Sequence, residues 1–338
     1  MENDTIYEYE DNYYYYSYIP VDDESSPQEA VIKFDPIVLS IFIFMFIVVL
    51  LSLIGNILVL VILGLYEDLK SLTNCFMFNL ALSDLIFTLG IPFWACSYIW
   101  SWIFGDFMCR SVNFVFSVGF HSSIAFLMLM SLECYVAVAH PLSVWTKCHS
   151  SAVIPIIAWV LSCSAALPDT LFSEAIKDPT EPDTLNCELN SVKASVSVAY
   201  EQNIFLVVAF SVMSFCFIGI LLTIFKAQTK KDRTLRLVFC MVVVSFVRWA
   251  PYNIVIFLQT LNHHQIEFFT QYSVFAQLNY AFHICRLLAF SHCYVNPVIY
   301  IFASTKIRNH LKALLQKMFQ RQMNTEFYQA EIYSDSSM

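Results

Sequence analysis

Seven stretches of this chain are apolar for the length of a bilayer crossing. They fall near residues 36–65, 72–99, 106–138, 151–171, 199–226, 234–261 and 272–302. About twenty apolar residues in helical form cross the hydrocarbon layer. Lipid also tolerates only segments that satisfy their own backbone hydrogen bonds. The fold class that follows is an all-α membrane protein, a seven-transmembrane helix bundle. Charge content agrees: 13% of residues are charged, against about 25% in soluble domains. The connectors are too short to hold a domain. No internal repeat is evident, so an inverted-repeat transporter has little support. Nucleotide-cradling glycine patterns and the common hydrolytic motifs are absent.

The net charge of −9 sits in one place. Residues 1–36 hold ten acids and one base, Lys33, whereas the rest of the chain balances at 17 acids and 17 bases. Such a tail implies a basic partner and repels nucleic acid. Orientation follows from lysine and arginine. Twelve of them (Lys70, Lys147, Lys226, Lys230, Lys231, Arg233, Arg236, Lys306, Arg308, Lys312, Lys317 and Arg321) lie on one side, against Lys33, Lys177 and Lys193 on the other. That predicts a cytoplasmic carboxyl end and an extracellular acidic tail over residues 1–35. The transmembrane unit spans 36–302. Residues 303–319 form a short amphipathic eighth helix on the membrane surface, with Ile307, Leu311, Leu314, Leu315 and Met318 at helical spacing. Residues 320–338 are a cytoplasmic tail. The sequon Asn3-Asp4-Thr5 offers a glycosylation site on the outside.

Ionisable residues at bilayer depth are costly and functional by default. Asp84 sits in the middle of the second span, with Asn56, Ser123, Asn296 and His292 at similar depth on others. A carboxylate ringed by amide and hydroxyl oxygens suits a monovalent cation or a proton. It equally suits a hydrogen-bond network that holds helices together. Pro92, Pro251 and Pro297 each remove a backbone bond and predict breaks or kinks in their spans. A channel needs a polar stripe along several helices, and an intramembrane enzyme needs paired catalytic groups; neither pattern is present. Of eleven cysteines, Cys109 and Cys187 are the best placed for an oxidising compartment. They read as either a disulfide that folds a loop over the bundle or two free thiols.

Taken together, the motifs resemble those of rhodopsin-like G-protein-coupled receptors. They are Gly55-Asn56, Leu80-Ala81-Leu82-Ser83-Asp84, Trp159, Trp249-Ala250-Pro251-Tyr252 and Asn296-Pro297-Val298-Ile299-Tyr300, with Cys109 and Cys187 as the pair. Trp102-Ile103-Phe104-Gly105 and the acidic, tyrosine-rich tail are similar to chemokine receptors. Glu67–Asn74, Asp169–Phe172 and Ile284-Cys285-Arg286 resemble the lymphotactin (XC-type) group. The resemblance implies a plasma-membrane receptor, not an enzyme, with no cofactor beyond an allosteric sodium ion at Asp84, Ser123 and Asn296. It implies a ligand pocket lined by Trp94, Phe116, Glu201, Tyr252 and Arg286, with Glu201 or a ligand group as the anionic partner of Arg286. The activation switches would be Glu133, Cys134, Tyr135, Trp249, Pro251, Asn296, Pro297 and Tyr300. The implied partners are a basic, lymphotactin-like chemokine, heterotrimeric G protein (Gi) and arrestin. Tyr7, Tyr9, Tyr13, Tyr14, Tyr15, Tyr16 and Tyr18 beside Glu8, Glu10 and Asp11 would form a sulfated ligand-capturing tail.

Two departures matter. The family's inner arginine is replaced in Glu133-Cys134-Tyr135. A thiol cannot offer five fixed donors, so a weakly coupling scavenger is the alternative to a signalling receptor. Residues 1–36 and the third outer loop contain no cysteine, so the second outer disulfide common in chemokine receptors is missing.

Overall fold

A computed structural model describes residues 36–139, 153–177, 184–227, 233–264 and 272–303, followed by 307–314, 316, 317, 320 and 323. The order is α1 (Pro36–Tyr66), α2 (Leu72–Trp100), α3 (Gly105–Ala139), α4 (Val153–Ala165) and α5 (Leu167–Phe172). A hairpin of β1 (Ser173–Lys177) and β2 (Leu185–Leu189) follows. Then come α6 (Val192–Ala227), α7 (Arg233–His263), α8 (Tyr272–Phe290) and α9 (His292–Ala303). Residues 307–314 are helical and form α10. Among the described residues, seven helical stretches are long and apolar enough to cross a membrane. The fourth joins α4 to α5 and the seventh joins α8 to α9.

The distribution of side chains is that of a protein dissolved in lipid. Large apolar residues face outward along α1 (Phe46, Ile47, Ile54), α4 (Ile156, Val160, Leu161) and α6 (Ile204, Val207, Phe215, Phe225). Serines, asparagines, histidines and an aspartate are buried inside. Lipid tails give little drive to hide leucine, so close packing and interhelical hydrogen bonds hold the helices together. Close approach is visible at Gly119, where an added Cβ would lie 2.8 Å from the backbone nitrogen of Phe87. It recurs at Gly55, where a Cβ would lie 2.8 Å from Pro297 Cγ.

Several boundaries differ from the sequence expectation. The fifth crossing starts at Val192 rather than near residue 199. The proline-breaks expectation is corrected: Pro92, Pro251 and Pro297 all lie inside helices that continue through them. The one interruption in the seventh crossing is Ser291, ahead of Pro297. Proline frees the carbonyl four residues earlier. Here that is the Cys293 carbonyl, and Asn56 of α1 donates to it at 2.8 Å. At the end of the bundle away from the hairpin, Ile307 is buried and Leu311 packs on the core. His310 stacks on Tyr66 at 4.9 Å, with Nε2 3.3 Å from Glu67 Oε1, so α10 is tied to the end of α1.

Candidate functional site

The hairpin is fixed by the residues that precede α3. Trp102 donates its backbone N–H to Leu185 O at 2.7 Å and its indole N–H to Gly105 O at 3.0 Å. Gly105 has φ +74°, a left-handed conformation that glycine adopts without strain, and this lets the chain turn into α3. Cys109 in α3 is bonded to Cys187 in β2, with Cα atoms 5.5 Å apart, so the disulfide alternative holds over free thiols. Asp106 accepts from the Ala175 N–H at 2.7 Å, and Arg110 reaches Ser173 O and Glu174, each at 3.1 Å. The hairpin is thereby clamped across one end of the bundle.

Beneath it lies the mouth. Arg286 of α8 is enclosed by rings, with its guanidinium carbon 4.7 Å from the Trp94 centroid, 5.3 Å from Tyr98, 5.4 Å from Phe282 and 5.7 Å from Phe290. It donates to the Tyr98 hydroxyl, while its buried Nε has no hydrogen-bond partner. The expected pairing of Arg286 with Glu201 is corrected. Glu201 of α6 instead meets His121 Nε2 of α3 at 3.0 Å. The other ring nitrogen, Nδ1, lies 2.8 Å from Ser117 O, so both nitrogens face acceptors. Asp169 lies on α5, which packs against α3 and α6, the helices that carry His121 and Glu201. Tyr252 packs on Trp249 and Phe282. Phe116 sits edge-on to Phe87 at 4.5 Å, in space opened by Gly90.

Deeper, Asp84 is fully buried. Ser123 donates to Oδ1 at 3.0 Å and Asn296 to Oδ2 at 2.8 Å. Thr88 and Ser52 share a 2.6 Å bond beside it, and Thr88 also donates to the Asp84 carbonyl. Three transmembrane helices, α2, α3 and α9, therefore meet at one carboxylate, and α1 joins them beside it through Ser52 and Thr88. His292 also belongs here, with Nε2 3.6 Å from Asp84 Oδ1. Trp249 lies between this centre and the mouth, in contact with Phe120, His292 and Phe87. Trp159 ties α4 to α2 through a 2.9 Å bond to Asn79.

At the opposite end from the hairpin, Glu133 accepts from Thr73 at 2.8 Å. Cys134 is buried at 9% exposure among apolar side chains. Tyr135 packs on Phe215 and closely against Gly219, and Tyr300 is fully buried. Pro251 and Pro297 sit on the two helices, α7 and α9, that link the centre to this end.

Residues 55–300 match the family described as the 7 transmembrane receptor (rhodopsin family). Chemokine XC receptor 1 of Homo sapiens is 40% identical over 277 residues, covering 80% of each chain. The chain is a chemokine receptor of the rhodopsin family. Chemokine XC receptor 1 of Mus musculus is 39% identical over 80% of this chain and 81% of that one. C-C chemokine receptor type 8 of Macaca mulatta is 34% identical over 90% and 85%. The receptor is thus a multi-pass protein of the plasma membrane and not an enzyme.

Sequence reasoning placed Asp84, Ser123 and Asn296 together correctly, and also Trp94 with Arg286. It missed His121 and Asp169 as part of the receptor's mouth. An ionisable histidine within the third span was the available signal. The tail residues Asn3, Tyr7, Glu8, Tyr9, Glu10, Asp11, Tyr13, Tyr14, Tyr15, Tyr16 and Tyr18 lie outside the described residues.

Proposed function

We propose that this receptor binds a basic chemokine of the lymphotactin type. It signals through Gi to raise calcium and drive chemotaxis of immune cells. The carrying observation is the likeness to chemokine XC receptor 1 across four-fifths of both chains. The amino terminus and the hairpin face the extracellular side, supported by the twelve-to-three lysine and arginine asymmetry and by the disulfide. The tail of −9, augmented by tyrosine sulfation, captures the cationic body of the ligand. The ligand's free amino terminus then enters the mouth beneath the hairpin. Pressure on Trp94, Phe116 and Tyr252 reaches Trp249, which contacts the Asp84 centre through His292. A two-state shift of α7 and α9 then opens the far end to the G protein. Arrestin would engage the same opened face.

The centre also suits an allosteric sodium ion held by Asp84, Ser123 and Asn296. His292 Nδ1 lies 2.9 Å from the Ala289 carbonyl, so it is the donor. In the neutral ring Nε2 then turns a lone pair towards the Asp84 carboxylate, with no hydrogen-bond partner of its own. Two electron-rich atoms facing each other at 3.6 Å in a buried site favour a positive charge beside them, a monovalent cation or a proton. Bound there, the ion would neutralise Asp84 and favour the inactive arrangement.

The relatives named above give the scavenging alternative no support, although Cys134 still removes a charge from the G-protein face. The test is calcium flux and migration of cells expressing the receptor on exposure to lymphotactin and to a panel of other chemokines. A response selective for lymphotactin is expected. Silence towards lymphotactin with a response to another chemokine would overturn the ligand assignment.

A further inference from the structure

The mouth holds two opposed walls. One carries Glu201 bonded to His121; the other carries Arg286 among four aromatic rings. Among the described residues no carboxylate lies within 4.0 Å of Arg286. The acid nearest in expectation, Glu201, is occupied by His121. Rings over a guanidinium hold it in place by its faces. They do not accept the N–H groups that radiate from its edge, and the buried Nε has nothing to donate to. A cation at membrane depth without a counter-charge is costly. A planar acceptor with two oxygens meets the guanidinium fork edge-on.

We infer that Arg286 is a specificity-determining residue that takes a carboxylate side chain from the amino-terminal segment of the ligand. This rests on the ligand assignment above and deepens it. The mouth selects chemokines whose entering segment carries an acid. It rejects segments whose only charge is positive, because they would set a cation against Arg286 in a low-dielectric site. Trp94 and Tyr98 of α2 and Phe282 of α8 fix the fork's orientation, and Trp249 below transmits occupancy.

A charge-exchange cycle tests this on cells expressing the full-length receptor. The probes are lymphotactin, variants with each acidic residue of its amino-terminal segment changed to the amide or to lysine, and lymphotactin with an amidated carboxyl terminus. Arg286→Gln should raise the half-maximal concentration for G-protein activation at least tenfold with unmodified lymphotactin. It should add no further loss with the amide variant of the residue that Arg286 engages. Arg286→Glu should respond to the lysine variant at least tenfold better than to the parent. Arg286→Lys should recover only part of the response, since it keeps the charge but lacks the fork. Cell-surface level should be unchanged in all three, which separates this role from a folding defect. Losses that multiply in the Arg286→Gln and amide combination would overturn the inference. A dependence on carboxyl-terminal amidation alone would also overturn it. A wild-type receptor silent to lymphotactin and to the whole panel would overturn the ligand assignment and this inference together. A responsive receptor with a flat cycle would overturn this inference alone.

Discussion

Asp84 is a fully buried charge and Arg286 a half-buried one in the same helix bundle, and they are treated oppositely. Each oxygen of Asp84 accepts a hydrogen bond from a different neighbouring helix. Arg286 has rings on its faces, one hydroxyl, and an unpartnered Nε. The acid is a junction: both of its oxygens accept bonds that join α2 to α3 and α9. The base is held in position with capacity left over. In lipid, where polar contacts carry much of the helix association, a charge with spare capacity points to what arrives from outside.

The contrast can be broken or sharpened by substitution, beginning with the acid. Asp84→Ala leaves Ser123 and Asn296 without their acceptor and should cost about 3 kcal/mol. The unfolding temperature of the purified receptor should fall by about 6–12 °C, with Asp84→Asn falling less. A smaller drop than that of Arg286→Gln would invert the comparison. Asn56→Leu removes the donor that covers the carbonyl freed by Pro297, and the expected cost is about 2 kcal/mol. A melting curve identical to wild type would mean that the Cys293 carbonyl finds another donor. Arg286→Gln should change stability by about 1 kcal/mol or less, although its effect on agonist response is at least tenfold. Thr73→Val removes a single bond to Glu133 and should cost about 1 kcal/mol. Its functional counterpart is Cys134→Arg, which places a guanidinium beside Glu133. Maximal agonist-driven G-protein activation should rise, and a wild-type maximum already equal to that of the variant would remove the significance of Cys134.

The centre was legible in the sequence because its members lie in short motifs with fixed spacing on their helices. Asp84 in Leu80–Asp84 and Asn296 in Asn296–Tyr300 declare their depth, and depth brings them together. His292 was noted as polar, but its approach to Asp84 depends on the break at Ser291, which no proline marks. The mouth was half legible. Trp94 and Arg286 were named together, but Glu201 was assigned to the wrong partner. Pairing there depends on rotation of α6 relative to α3 and on the short α5 that carries Asp169, and apolar periodicity leaves both open. The hairpin was read only as a loop over the bundle. Its strands are five residues each and carry no strong alternation, and they take their register from the disulfide and Trp102. Arg248 had no account from sequence alone. It donates to Ser291 at the break between α8 and α9 and lies over Tyr294 at 5.6 Å.

Binding of fluorescent lymphotactin to intact cells across a range of ionic strengths is the most direct test of the receptor account. It compares the full chain with one lacking residues 2–30. The full chain should bind more tightly at low salt, and its affinity should fall much more steeply as salt rises. Equal affinity and equal salt slope for the two chains would contradict an acidic arm that captures a basic chemokine outside the cell.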